Sequence, residues 1–254
     1  MKAAGYWITI GVTVLALTAC SSGQRRGPPT KVINQALSTA PGKAQPSQIV
    51  AREIEYAQAA KEQGQFVAAE DFAAPGALMH VRGGPVPFSA LASLLKTADI
   101  QTQWKPRTVV MSCDGALAIS QGRFADKDGK VGNYVTTWVR QSDNSYKWSY
   151  DVAGYDDPQP PPRQEFEDGD IVVTAIDAVQ GLVASCPRGG VAPPPPPAIP
   201  IGEEGKSDAQ LSSDGTMRWR WEHAEDGMKN VVAEYFYEGR WVTAVEESLA
   251  PIIE

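Results

Sequence analysis

Histidine is scarce in this chain, with two residues in 254, and that scarcity excludes much chemistry at once. His80 and His223 are far apart, and the three cysteines include no closely spaced pair, so no zinc pattern exists. No glycine-rich loop resembles a phosphate cradle, and no Gly-x-Ser-x-Gly marks a hydrolase. Basic residues are outnumbered, 23 Lys and Arg against 30 Asp and Glu, and they form no block. Nucleic-acid binding rests on cations that neutralise phosphates, so no nucleic-acid partner is expected. The "DKDGK" run at 126–130 alternates two acids with a glycine but lacks the later acid of a calcium loop. Lys127 and Lys130 also oppose a cation there. "HAED" (223–226) offers His223, Glu225 and Asp226 in what reads as a strand connection. Neither a metal nor a cofactor is expected.

What is present begins with "MKAAGYWITIGVTVLALTAC". Lys2 is a short positive region, Tyr6 to Leu17 an apolar stretch, and Thr18 and Ala19 are small residues leading into Cys20. The apolar stretch is too short to span a bilayer, which needs about 20 such residues. Leu17-Thr18-Ala19-Cys20 resembles the bacterial lipobox, in which the cysteine is acylated and becomes the new N-terminus. The resemblance implies a signal peptide over 1–19 and a palmitate-type anchor on Cys20. Ser21 after the cysteine resembles an outer-membrane sorting context, so the expected address is the outer membrane, facing the periplasm. Several acyl chains on one cysteine meet the need for more than one anchor.

With Cys20 committed, Cys113 and Cys186 remain as an even pair in an oxidising compartment. A disulfide is the leading expectation and two buried thiols the alternative. Cys113 as a nucleophile has no Cys-His arrangement to support it.

The chain then divides by texture. Residues 20–46 are rich in Ser, Gly, Pro and Ala and read as a flexible tether. In "SQIVAREIEYAQAAKEQGQF", Val50, Ile54, Ala57 and Ala60 make one face of an amphipathic helix ending at Gly64. "QFVAAEDF" gives a second helix with Phe66, Ala69 and Phe72 inward, and "FSALASLLKTAD" a third with Phe88, Leu91, Leu94 and Leu95. Between them "APGALMHVRGGPVP" reads as a loop with one short strand, Leu78 to Val81. From residue 107 onward, strands bounded by Asp-Gly and Gly signals form an antiparallel meander. A Pro-rich linker over 157–164 precedes a β-rich extension, 165–254, interrupted at about 188–206 by an exposed polyproline-type linker. Residues 165–187 and 207–250 are expected to form one small β unit or to extend the first sheet. In "GTMRWRWEHA", Met217, Trp219 and Trp221 share one face. With Tyr235, Tyr237 and Trp241 they form either packing or an exposed aromatic platform.

Over 47–156 the order "AREIEYAQAAKEQGQF", "AAEDFAAPGALM", "WKPRTVVMSCDGALAISQGRF" and "VGNYVTTWVRQSDNSYKWSYDVAGYD" resembles the nuclear-transport-factor-2-like superfamily. That superfamily includes ketosteroid isomerase and the SnoaL-type polyketide cyclases. The resemblance implies an α+β fold, with N-terminal helices packed on a strongly curved antiparallel sheet, a cystatin-like cone with an apolar cavity at its open end. A small β-rich C-terminal unit follows.

Enzymes of that fold use an Asp or His base with a Tyr or protonated Asp donor, but no catalytic motif carries over as a unit. The inventory is therefore His80 and Asp151 as bases, Tyr134 and Tyr150 as donors, and Trp104, Tyr134 and Trp138 as pocket lining. His80 reads as an exposed or hydrogen-bonded loop residue. In "YKWSYDVAGYD", alternation puts Trp148, Tyr150 and Val152 on one face and Asp151 on the other. With the apolar set toward the helices, the leading expectation, Asp151 is solvated or at the strand edge; with the opposite curvature it is buried beside Tyr with a raised pKa. Asp99 and Asp114 sit where Asp suits a helix end and a turn. The leading expectation is a non-catalytic module that binds a small apolar ligand or an envelope protein. The alternatives are an isomerase, dehydratase or cyclase acting on an apolar ring compound, and a structural envelope protein.

Overall fold

Proline lacks an N–H and has a fixed φ, both of which suit the first turn of a helix. Pro46 accordingly opens α1 (Pro46–Gln63), and Gly64 at φ 98° breaks the chain into α2 (Gln65–Phe72). The computed structural model describes residues 44–96, 100–161, 178–187, 191–199 and 202–251. All lie within one compact unit, Thr39–Glu254. Cys20, its leader, the tether as far as residue 43, Asp99 and residues 165–177 lie outside the described residues. The tether ends earlier than expected, since Ala44 packs on the core and Pro46 belongs to α1. No described helix is long and apolar enough to cross a membrane.

The segment after α2 is a strand pair rather than a loop. β1 (Ala73–Val81) turns at Arg82-Gly83 into β2 (Gly84–Pro87), and α3 (Phe88–Leu95) follows. The expected meander is then present as β3 (Thr102–Met111), β4 (Leu117–Asp126), β5 (Val131–Arg140) and β6 (Tyr146–Tyr155). With β7 (Gln180–Val183) they form a curved seven-stranded sheet in the order β2-β1-β6-β5-β4-β3-β7. Two pairings are parallel, β1 with β6 and β3 with β7. A second, antiparallel sheet holds β8 (Ser207–Leu211), β9 (Met217–His223), β10 (Lys229–Tyr237) and β11 (Arg240–Leu249). The β-rich extension is therefore divided: β7 extends the first sheet, and residues 207–249 make a sheet of their own.

The helices cover one face of the seven-stranded sheet. Ile49, Phe66, Ala69, Phe72, Phe88 and Ala92 pack there on Val109, Met111, Ala118, Trp138 and Trp148. The buried stripe of α1 is Ile49 and Glu53, whereas Ile54 is 62% exposed. The expected face was displaced because the helix buries a carboxylate, which its neighbours satisfy. On α3 the stripe is Phe88 and Ala92, with Leu94 exposed.

The opposite face carries Val110, Leu117, Ile119, Val135, Tyr150 and Val152, and the second sheet covers it. Met217, Trp219, Trp221, Val231, Ala233 and Tyr235 point into this interface. Those aromatics are thus sandwich packing, and only Tyr237 of the set is strongly exposed.

Two turns of similar sequence clasp the sheets together at one end. "SCDGA" (112–116) and "SSDGT" (212–216) each fold a Ser hydroxyl onto the following Asp, Ser112 to Asp114 at 2.6 Å and Ser212 to Asp214 at 2.7 Å. Their glycines take φ 66° and 69°, a conformation that suits glycine. The turns then exchange partners. The Asp114 N–H donates to Asp214 (2.8 Å), Ser213 Oγ donates to Asp114 (2.7 Å), and the Cys113 N–H donates to Thr216 Oγ1 (3.0 Å). Beside them Cys113 is disulfide-bonded to Cys186, across 73 positions of sequence.

Replacing both cysteines by alanine is expected to cost about 4 kcal/mol in urea unfolding, the loop-entropy value for a crosslink of this span. A loss below about 1 kcal/mol would show that the unfolded chain without the crosslink keeps residual structure.

Candidate functional site

A β-bulge decides which residues face the helices. Thr137 pairs with Tyr150 and Trp138 with Trp148, so Ser149 is an extra residue on β6. One unpaired residue reverses the faces beyond it. Trp148 therefore lies under the helices, while Tyr150 and Val152 lie under the second sheet. The alternation expected for Trp148, Tyr150 and Val152 fails at this point. Asp151, expected to be solvated, instead turns to the helix side with Thr136, its pairing partner on β5.

That side holds a polar cluster inside the cone. Glu53, 2% exposed on α1, accepts from Ser120 Oγ of β4 and from Tyr134 Oη of β5 at 2.8 Å. Trp138 Nε1 donates to the same Ser120 Oγ at 2.9 Å. Tyr134 reaches the acid across Gly122, directly opposite it on β4. A Cβ at Gly122 would stand 2.1 Å from the Lys105 carbonyl oxygen and 2.7 Å from the Tyr134 ring, so only glycine fits. Partly buried Asp151 accepts from Thr136 Oγ1 at 2.6 Å. Trp104 packs edge-on against Tyr56, ring centres 4.9 Å apart.

Burial drives the protonation of this cluster. It raises the Glu53 carboxyl to about 7, against the lowering effect of the Ser120 and Tyr134 hydroxyls, with Asp151 adding repulsion. Asp151 is raised to about 6, again by burial, and opposed by Thr136 and by the positive charge of Lys229. The Tyr134 and Tyr56 hydroxyls are pushed well above their ordinary value, first by burial and then by the neighbouring acids. Two carboxyls held near neutrality beside tyrosines can in principle exchange protons with a bound molecule. The cluster's hydrogen bonds, however, are made within the chain.

His80 is not a loop residue. It lies in β1 on the other face of the sheet, 3% exposed, and meets residues distant in sequence. Its Nδ1 lies 2.5 Å from Tyr150 Oη and its Nε2 lies 3.0 Å from His223 Nδ1. Trp221 packs edge-on against the ring, at 5.3 Å between centres. Burial pushes His80 down to about 3, reinforced by His223 and Lys229. A neutral ring fits a chain in which Tyr150 donates to Nδ1 and Nε2–H donates to His223. Lys229, 1% exposed, donates to the Ala153 carbonyl at 2.5 Å and is lowered to about 8 by burial. Tyr150 is raised above its ordinary range by burial and then by Asp151.

The sequence-derived set thus separates across one sheet. Tyr134, Trp138 and Asp151 share the cone interior, and Trp104 stands against Tyr56. His80 and Tyr150 occupy the inter-sheet layer. Cys20 lies outside the described residues. Glu53 and His223 were missed as partners: Glu53 reads as a solvated helix acid, and nothing in sequence draws His223 toward His80. Among the described residues, no group of three or more His, Cys, Asp and Glu could hold a metal. Two concavities of the described residues lie outside the cone. One of about 510 Å³ lies beside Cys186 and Phe236, and another of about 440 Å³ beside Tyr155 and Met228.

No family model and no curated protein matches the chain. Solved structures do. The ones it resembles include nuclear transport factor 2-like proteins. A superfamily protein from Salmonella enterica serovar Typhimurium is 10% identical with a TM-score of 0.34, over 49% of this chain and 96% of the other. Nuclear transport factor 2 from Cryptosporidium parvum is 12% identical with a TM-score of 0.35, over 44% of this chain and 95% of the other. ActVI-ORFA from Streptomyces coelicolor is 13% identical with a TM-score of 0.34, over 44% and 96%. A likeness this distant concerns fold alone.

The two buried clusters give opposite pH dependences. Between about 3 and 6.5 the unfolded His80 binds a proton that the folded one lacks, so its contribution to stability falls on acidification. Between about 4.5 and 7 the folded Glu53 holds a proton that the unfolded one lacks, so its contribution falls as pH rises. Glu53→Gln should therefore raise the melting temperature relative to the parent more at pH 8 than at pH 5. An equal difference at both pH values would contradict a raised Glu53.

Proposed function

We propose that the chain is a lipid-anchored protein of a bacterial cell envelope, whose cone domain is non-catalytic and filled and serves as a module for binding a protein partner. The observation that carries the non-catalytic reading is the hydrogen bonding of Glu53. Its two oxygens are held by Ser120 and Tyr134, and its side chain is almost wholly buried. A substrate would have to displace those hydroxyls and also the ring of Trp138, which is 1% exposed. Ligand sites commonly enclose about 300 Å³ or more with polar groups directed inward.

The anchoring reading rests on the lipobox-like Leu17-Thr18-Ala19-Cys20. The even pair formed by Cys113 and Cys186 suits an oxidising compartment.

One observation favours a second reading, an isomerase, dehydratase or cyclase acting on an apolar ring compound. Glu53 and Asp151 both titrate near neutrality on the helix side of the sheet, with Tyr134 donating to the first. In that reading Asp151 is the base and Tyr134 the donor, whereas His80 and Tyr150 have no part, since they lie across the sheet.

A titration with 2-naphthol, an apolar ring carrying one hydroxyl, separates the readings. A filled cone predicts no saturable change in tryptophan fluorescence. Saturable binding that Glu53→Gln or Asp151→Asn abolishes would establish a ligand site and overturn the filled cone. The anchor is tested by intact-mass analysis of detergent-extracted protein. A chain starting at Cys20 with acyl mass is expected, and an unacylated Cys20 would defeat the anchoring reading.

A further inference from the structure

The proline run expected to be an exposed spacer lies against the second sheet, and its burial has a period of three. From Val191 to Ile199, "VAPPPPPAI", Pro193, Pro196 and Ile199 are partly buried while the six other residues are exposed. A polyproline II helix has three residues per turn, so a three-residue period is one edge of such a helix laid on a surface.

The hydrogen bonds follow the same period. The Trp241 indole N–H donates to the Pro194 carbonyl at 2.9 Å, and Arg218 Nη1 donates to the Pro197 carbonyl at 2.5 Å. Pro194 and Pro197 are one turn apart. At about 3.1 Å rise per residue, their carbonyls project on one side roughly 9 Å apart. The two donors come from β11 and β9, strands on either side of β10. Arg218 is held for the purpose. Glu234 of β10 accepts from its Nε at 2.9 Å and from its Nη2, leaving Nη1 for the proline carbonyl. At the start of the segment, Pro193 lies over Gly215 in the clasp turn. Both hydrogen bonds are to backbone carbonyls, so they read the geometry of the extended helix rather than a particular side chain.

We propose that this face of the second sheet is a recognition site for polyproline II segments. The chain's own residues 191–199 occupy it, and a proline-rich segment of a partner protein competes for it. Proline locks φ, so such a ligand loses little conformational entropy on docking. The tethered segment competes at an effective concentration of the order of millimolar, which keeps the site closed to weak ligands. A concavity of about 510 Å³ remains between the segment and the β10–β11 turn, walled by Phe236 and Glu238. It gives an incoming segment room to engage before the resident one leaves. The proposal deepens the binding-module reading but is independent of the cone interior, because no residue of this face touches Glu53 or Asp151.

The test uses the full chain with residues 191–199 replaced by a Gly-Ser segment of equal length. A synthetic VAPPPPPAI peptide is titrated into it by calorimetry, with VAAAAAAAI as control. Saturable binding of the proline peptide alone is expected, weakened roughly three- to tenfold by Trp241→Phe, the worth of one hydrogen bond. The unaltered chain should bind the peptide far more weakly. No binding by a replaced chain that still melts cooperatively would overturn the proposal. So would equal binding of the alanine peptide, or indifference to Trp241→Phe. Dimerisation of the unaltered chain without any response to peptide would assign the face to a second copy and equally overturn the proposed partner. Should the replaced chain fail to fold, the period itself can be read in the intact one. Pro196→Asp, on the inner edge, is expected to shift the Trp241 indole N–H resonance, and Ala198→Asp, on the outer edge, to leave it in place. Equal shifts would overturn the docked helix.

Discussion

The bulge at Ser149 is the constraint on which both faces of the main sheet depend. With strict alternation, Trp148, Tyr150 and Val152 would crowd one face, and the other would receive Lys147, Ser149 and Asp151. One unpaired residue sends Trp148 to the helices and sends Tyr150 and Val152 to the second sheet. Each face then receives large apolar groups, and a sheet buried on both sides becomes possible. The same residue turns Asp151 toward the cone. Its raised pKa is thus a consequence of how the strand satisfies two packing layers.

The second sheet carries one largely aromatic face, which leaves water only against a partner surface. It gains that surface from the main sheet, and the clasp sets the two in register. Ser112, Asp114, Ser212 and Asp214 each stabilise their own turn, and the two turns then bond to each other. The Cys113–Cys186 bond ties β7 and the clasp to the same corner. From that corner the proline segment crosses the outer face of the second sheet. The chain after β6 is therefore an integral layer of the fold, and its proline run is part of the packing.

Buried ionisable groups lie on both sides of the main sheet, and they act in opposite senses. Glu53 and Asp151 gain protons on folding, whereas His80 gives one up, each mainly because burial disfavours the charged form. Between about pH 3 and 6 all three are neutral, which spares the sandwich unpaired buried charges that would each cost several kcal/mol. The hydroxyls of Ser120, Tyr134, Thr136 and Tyr150 complete the hydrogen bonding.

Much of the architecture was legible from local pattern. The meander follows from Asp-Gly and Gly turns between β-branched runs, and the inward set of the tail, Met217, Trp219 and Trp221, follows from alternation. Such features are local, since turn chemistry and a period of two need no distant partner. The face of α1 was not legible, because a Glu at a core position looks like a surface acid until Ser120 and Tyr134 are placed beside it. The reading of 74–87 as a loop with one short strand, Leu78 to Val81, caught only part of β1 and missed β2, because β1 pairs in parallel with β6, a contact remote in sequence. His80 acquired two partners, 70 and 143 positions away, by the same kind of long-range pairing. The sequence by itself determined the helices, the strands of the meander, the turns and the polyproline conformation of residues 191–199, because local backbone preference settles these. Tertiary structure alone decided which side of the sheet Asp151 occupies, which groups His80 meets and what the proline helix lies on. Those outcomes depend on a single bulge and on the closure of two sheets, and neither has a local signature.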